Sequence, residues 1–194
     1  MLKAIRLTAS ALILALALAW GVAWVGDFRP AASIGGPFTL TDTAGKRVTD
    51  ADFRGKWMIV YFGYAYCPDI CPTQLQTIAA ALDLLGPRAA DVTPVFITID
   101  PARDTPAALG QYVKLFDDRI VGLTGSADEI AAVAHAYRVY YARVDGTKGT
   151  SYVMDHSSLV YLMAPDGRFR AMLPQNDDPN TMAGELRTEM MKNG

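Results

Sequence analysis

The chain has 194 residues, about half of them hydrophobic, and a formal net charge of −2. That supports one ordinary core plus an appendage, with no need of disulfide staples. The near-neutral charge and the lack of a long basic run argue against a nucleic-acid partner, and two cysteines with two histidines leave few residues for metal or thiol chemistry.

The first segment differs from the rest. Lys3 and Arg6 precede an uncharged stretch rich in Leu and Ala, from Leu7 to Gly26, and the next charge is Asp27. A helix of that length spans roughly 30 Å, the thickness of a bilayer core. The expected division is therefore a cytoplasmic N-terminus (1–6), a transmembrane anchor (7–26), a linker (27–35) and one folded domain (36–194). The basic flank predicts an inner-membrane, single-pass topology with the domain on the periplasmic side. Trp20 and Trp24 lie where aromatic rings favour the interface. A cleaved secretory signal is the competing reading, although its apolar region is usually shorter. No cysteine follows the stretch that could carry a lipid. Both readings export the domain to an oxidising compartment, where a thiol pair can form a disulfide.

The domain's elements follow in order. Phe38 to Thr41 and Arg47 to Asp50 flank a Thr-Ala-Gly turn and predict a hairpin. Trp57 to Tyr64 is a continuous apolar and aromatic run, as expected of a strand buried on both faces. Leu75, Ile78, Ala79, Leu82 and Leu85 then recur at helical spacing. Val95 to Ile99 reads as the next buried strand. Thr105 and Pro106 predict a helix start whose apolar face holds Leu109, Tyr112, Val113 and Phe116. Ser126 to Glu129 is a capping box before Ile130, Val133, Ala134 and Tyr137. Leu159 to Met163 and Phe169 to Met172 flank Pro165-Asp166-Gly167, a hairpin signal. Met182, Leu186 and Met190 mark a closing helix. Strand, helix, strand, further helices, hairpin and helix make an α/β, thioredoxin-like sandwich.

Directly after the first core strand comes Tyr66-Cys67-Pro68-Asp69-Ile70-Cys71-Pro72. In open α/β sheets, sites lie beyond the carboxyl ends of strands. Each cysteine precedes a proline, which disfavours helical geometry there. Both are expected on the loop and cap, with Pro72 opening the helix. Sulfurs near a helix N-terminus ionise more readily. Three intervening residues, where a redox pair usually has two, widen the loop enough for a metal while still permitting a disulfide. A plain stabilising disulfide is one alternative, though so short a loop constrains little chain. Thiol redox chemistry without metal is another.

Two thiolates are soft donors that suit Cu(I), whereas zinc normally wants four ligands that this chain cannot easily supply. His156, in Met154-Asp155-His156-Ser157-Ser158 just before the C-terminal hairpin, is the candidate third donor. A lone loop histidine is ordinarily solvated. The soft cysteine pair and the shortage of other donors favour a ligand here. Asp155 is a candidate support behind the ring. His135 falls between the apolar positions of its helix and is expected at the surface. Met154 and Met163 are thioethers more often found as core filler.

These residues together resemble the Sco/SenC family of copper-binding cytochrome c oxidase assembly proteins. The matching segments are Tyr61-Phe62-Gly63-Tyr64, Cys67 to Pro72, Asp100-Pro101-Ala102-Arg103-Asp104-Thr105-Pro106, Tyr137-Arg138-Val139-Tyr140-Tyr141 and Asp155-His156-Ser157. The resemblance implies a thioredoxin-like fold, an N-terminal anchor, Cu(I) or Cu(II) held by Cys67, Cys71 and His156, and a part in building the oxidase's dinuclear copper centre. Its implied partners are the copper-bearing oxidase subunit and another copper chaperone. Where the family often has Thr and His before the first cysteine, this chain has Ala65 and Tyr66. The segment from Asp100 reads equally as a helix-start turn or a partner surface.

The leading expectation is a metallochaperone, which is not an enzyme. The alternative is a thiol-disulfide oxidoreductase whose redox-active pair, Cys67 and Cys71, reduces the cysteines of the oxidase copper site. A thiol peroxidase is disfavoured, because Tyr64 stands where such enzymes carry Thr. The segment from Val144 to Val153 is expected to be a mobile loop that orders on metal or partner binding.

Overall fold

The computed structural model describes residues 34–146, 152–173 and 178–192. The expected anchor at 7–26 and nearly all of the linker lie outside them. No helix among the described residues is long and apolar enough to cross a membrane.

The described chain begins with a hairpin, β1 (Thr39–Asp42) and β2 (Arg47–Thr49). Gly45, at φ 82°, supplies the left-handed turn residue between them. Next come β3 (Trp57–Gly63), α1 (Ile70–Leu85) and β4 (Val92–Thr98). Then follow α2 (Pro106–Val113), β5 (Val121–Thr124) and α3 (Ala127–Ala136). The rest is β6 (Tyr141–Val144), β7 (Val153–His156), β8 (Val160–Met163), β9 (Phe169–Leu173) and α4 (Pro179–Met191).

Among the described residues, seven strands form one sheet in the order β2-β1-β5-β4-β3-β8-β9. β3, β4 and β5 run parallel, and β8 joins β3 antiparallel. Every residue of β3 is buried. Successive side chains point to opposite faces, so both faces of this strand are covered, and the continuous apolar run of the sequence is explained. Fully buried Ile59, Phe62, Phe96 and Leu82 lie in one continuous core. Each such side chain contributes about 1.5–3 kcal/mol by leaving water. α1 and α4 pack against each other, through faces that include the buried Leu82 and Leu186.

The predicted caps are present. The Thr105 hydroxyl accepts from the Ala108 N–H with Pro106 at the first helical position. Ser126 and Glu129 close a reciprocal capping box. The Asp100–Pro106 segment is therefore a helix-start turn, with Asp100 and Asp104 buried in it. His135 is exposed, as expected, and Met163 is core.

Two features differ from the sequence reading. β5 was not expected, because four residues including Gly122 carry too little pattern to read as a strand. Val144 and Val153, expected as the ends of one loop, are instead paired across a two-stranded ribbon of β6 and β7. Residues 147–151 of that segment lie outside the described residues. The ribbon forms its own sheet, separate from the seven-stranded one.

Candidate metal centre

The centre sits beyond the carboxyl end of β3. Gly63 ends that strand, and a Cβ there would stand 2.7 Å from the Cys71 sulfur and 2.8 Å from Cε2 of Phe96. The missing side chain is the space that the sulfur occupies.

The loop after Gly63 is tied down from behind. The Asp104 carboxylate is fully buried and accepts from the Ala65 N–H (3.0 Å) and the Thr98 hydroxyl (2.6 Å). Burial pushes its pKa up, while those two donors pull the other way. The Cys67 N–H then bonds to the Tyr64 carbonyl at 3.2 Å.

The two cysteines do not occupy equivalent places. Cys67 is half-buried on the loop, and its sulfur accepts from the Cys71 N–H at 3.4 Å, capping the first turn of α1. Cys71 is fully buried and lies within that turn, because α1 begins at Ile70. The expectation that both lie outside the helix is thus corrected for Cys71. Pro72 stands third in the helix, not first. Pro72 is tolerated there because the first N–H groups of a helix have no intrahelical partner to lose.

His156 is the last residue of β7 rather than a loop residue. Its Nε2 lies 3.7 Å from the Cys71 sulfur, and its Nδ1 is 3.2 Å from the Ser157 carbonyl. Nε2 is thus the ring nitrogen turned to the Cys71 sulfur, and Nδ1 the one turned to the backbone. Asp155 is the neighbouring strand residue, so its side chain points to the other face, and it is exposed. The support expected from its carboxylate comes instead from the Ser157 backbone. The Tyr64 ring meets the imidazole edge-on, with centroids 6.0 Å apart.

Tyr61, buried in β3, points its hydroxyl at the Cys71 sulfur from 3.7 Å. Sequence reading did not assign it a part in the site, and alternation along β3 alone could not, since every position of that strand is buried. The electrostatics split the thiols. The Cys71 thiol, the His156 ring and the backbone N–H groups of Asp69 and Cys71 hold Cys67 well below the ordinary thiol range, against a smaller desolvation effect. The bond to Cys67 and burial both push Cys71 up. One thiolate and one thiol thus share a proton.

The donor atoms of Cys67, Cys71 and His156 all lie within 4.8 Å of one another. Two sulfurs and one imidazole in a partly buried cluster can hold a metal ion, and three such donors suit copper better than zinc, which normally takes four ligands.

Sequence and structure comparisons agree with this geometry. The family model described as SCO1/SenC matches residues 26–191. The chain belongs to the SCO1/SenC family. Protein SCO1 homolog, mitochondrial, from Homo sapiens is 42% identical over 159 residues, covering 81% of this chain and 53% of that protein. Protein SenC from Rhodobacter capsulatus is 46% identical over 162 residues, covering 83% of this chain and 72% of that protein. The crystal structure of Arabidopsis thaliana ScoI with copper bound superposes with a TM-score of 0.78 at 43% identity. That match covers 82% of this chain and 99% of the other. The SCO1/SenC chain described here spans about half the length of several curated relatives it matches.

Proposed function

We propose that this chain is a copper metallochaperone. Cys67, Cys71 and His156 take up one copper ion, Cu(I) or Cu(II), as cargo, and release it to the dinuclear copper centre of cytochrome c oxidase. The copper-bearing oxidase subunit is the acceptor and another copper chaperone the donor. Residues 7–26 anchor the domain, in this reading, to the periplasmic side of an inner membrane. The convergence of the three donor atoms within 4.8 Å carries the proposal.

The asymmetry of the site suits a carrier. The ionised Cys67 sulfur is ready to bind, and the Cys71 thiol loses its proton as the ion enters. Cys71, with the Tyr61 hydroxyl directed at its sulfur, holds the ion from the buried side. Cys67 and His156, both partly exposed, face the route by which an acceptor's ligands replace them.

The same split between thiols favours a second reading, thiol-disulfide exchange on the oxidase copper site. Cys67 thiolate attacks a partner disulfide, forming a mixed disulfide and releasing one partner thiolate. Cys71, on losing its proton, then attacks the Cys67 sulfur and releases the second. The pair ends oxidised and the partner reduced by two electrons.

Copper stoichiometry and absorption of the reduced chain under anaerobic conditions test the first reading. One equivalent is expected in the wild type and none in a Cys67→Ser, Cys71→Ser double variant. His156→Ala should weaken copper binding and largely preserve thiol exchange. A reduced wild-type chain that takes up no copper defeats the chaperone reading.

A further inference from the structure

His156 rides on a ribbon that has no ladder to the main sheet among the described residues. Two strands of four residues each are marginally stable alone. Something other than backbone pairing must hold the imidazole over the cysteines. At the root of the ribbon, the Ser157 N–H donates to the Tyr140 carbonyl (2.9 Å) and the Tyr140 N–H to the Ser157 hydroxyl (3.2 Å). The other end of β7 is held by side chains.

Arg103 leaves the turn after β4 and meets Tyr152, the residue before β7. Its guanidinium carbon lies 3.7 Å from the centre of the Tyr152 ring, and its Nη1 donates to the Tyr152 carbonyl at 3.0 Å. Arg143 of β6 stacks on the same ring at 3.9 Å. One face cannot seat two guanidinium groups at such distances, so the ring is sandwiched. The Tyr152 hydroxyl donates to Asp100 Oδ1 at 2.9 Å, while Asp100 Oδ2 accepts from Arg103 Nε. Asp100 is buried, and its backbone N–H donates to Thr98 Oγ1 at 2.9 Å, which fixes the turn. Tyr152 is thus gripped at its ring, its hydroxyl and its carbonyl by a turn rooted in the core. The same guanidinium lies 4.7 Å from the Tyr66 ring and 5.7 Å from the Tyr64 ring, which flank the cysteine loop. Arg103 Nη2 is buried and has no hydrogen-bond partner among the described residues. That is the cost of presenting the guanidinium's face to the rings rather than all its N–H groups to acceptors.

We propose that Arg103 is a positioning residue of the metal centre: with Asp100 it clamps Tyr152, and through β7 it holds His156 against the cysteine loop. The proposal rests on the copper reading above for its functional consequence, but the clamp itself is testable without metal. β7 carries the constraint from Tyr152 to His156 over about 13 Å of extended chain. Releasing the clamp leaves both sulfurs in place and lets the histidine depart.

The test uses the reduced full chain with Tyr152→Leu, which spares the Asp100–Arg103 pair, and with Arg103→Lys, which keeps the charge but cannot stack and bond in the same way. Hydrogen exchange of the metal-free proteins should show the amides of β6 and β7 losing protection at least about tenfold, with β3 and β4 unchanged. Copper affinity should fall about 10–100-fold. Combined with His156→Ala, Tyr152→Leu should add almost nothing further, because the ligand it positions is gone. Unchanged ribbon protection overturns the clamp. Losses of copper affinity that simply add in the double variant reduce the cluster to a structural role and overturn it too. A wild-type chain that binds no copper defeats the preceding reading instead, and the exchange measurement alone then decides the clamp.

Discussion

Gly63→Ala tests the closest contact in the site. The new Cβ would stand 2.7 Å from the Cys71 sulfur and 2.8 Å from Phe96 Cε2, both among fully buried residues. Neither neighbour is the free end of a flexible surface chain, so something in the core must move. Restoring ordinary contact needs a displacement of about 0.7 Å, against a tolerance of about 0.2 Å in a metal–ligand bond. Overpacking of this kind costs about 1–3 kcal/mol. In a domain of this size that lowers the melting temperature by about 2–12 °C. Thermal denaturation of the metal-free chain should show this loss, and copper titration should show weaker binding, because Cys71 is shifted off the common point. Gly184→Ala is the control. It lies in α4 with nothing within 4 Å of its new Cβ. Removing a helical glycine there should raise stability by about 0.5–1 kcal/mol. If Gly63→Ala melts at the wild-type temperature and binds copper as tightly, the account of Gly63 as the sulfur's space is wrong.

Two further outcomes follow from the buried acid and the split thiols. Asp104 has its pKa raised above 3.8, with burial the largest cause. In the window above 3.8 the folded state keeps a proton that the unfolded state gives up, so stability falls as pH rises through it. Asp104→Asn should flatten the slope of unfolding free energy just above pH 3.8, measured in urea; an unchanged slope would locate the titrating group elsewhere. Iodoacetamide at pH 6 should modify Cys67 before Cys71 in the reduced, metal-free chain, since Cys67 is both ionised and partly exposed. Mapping the first alkylated residue by mass spectrometry checks this, and prior labelling of Cys71 would reverse the assignment of thiolate and thiol.

Much of this protein was legible along the chain. β3, α1, β4, the helix caps at Thr105 and Ser126, and the β8–β9 hairpin each rest on periodicity, capping or turn chemistry between near neighbours. Those signals survive in a linear reading because they act over a few residues. Cys67, Cys71 and His156 stood out because soft donors are so few here. The helical place of Cys71 was misread, because a residue before proline is a poor helix former in general but acceptable in a first turn.

What only the tertiary structure decided are contacts between distant segments. Cys71 and His156 are 85 positions apart. The space left by Gly63, the hydroxyl of Tyr61 on the buried sulfur and the grip of Arg103 on Tyr152, 49 positions away, carry no local pattern. Each exists because a sheet and a ribbon bring together groups whose interaction falls off within a few ångströms, and no spacing in the chain encodes such a distance.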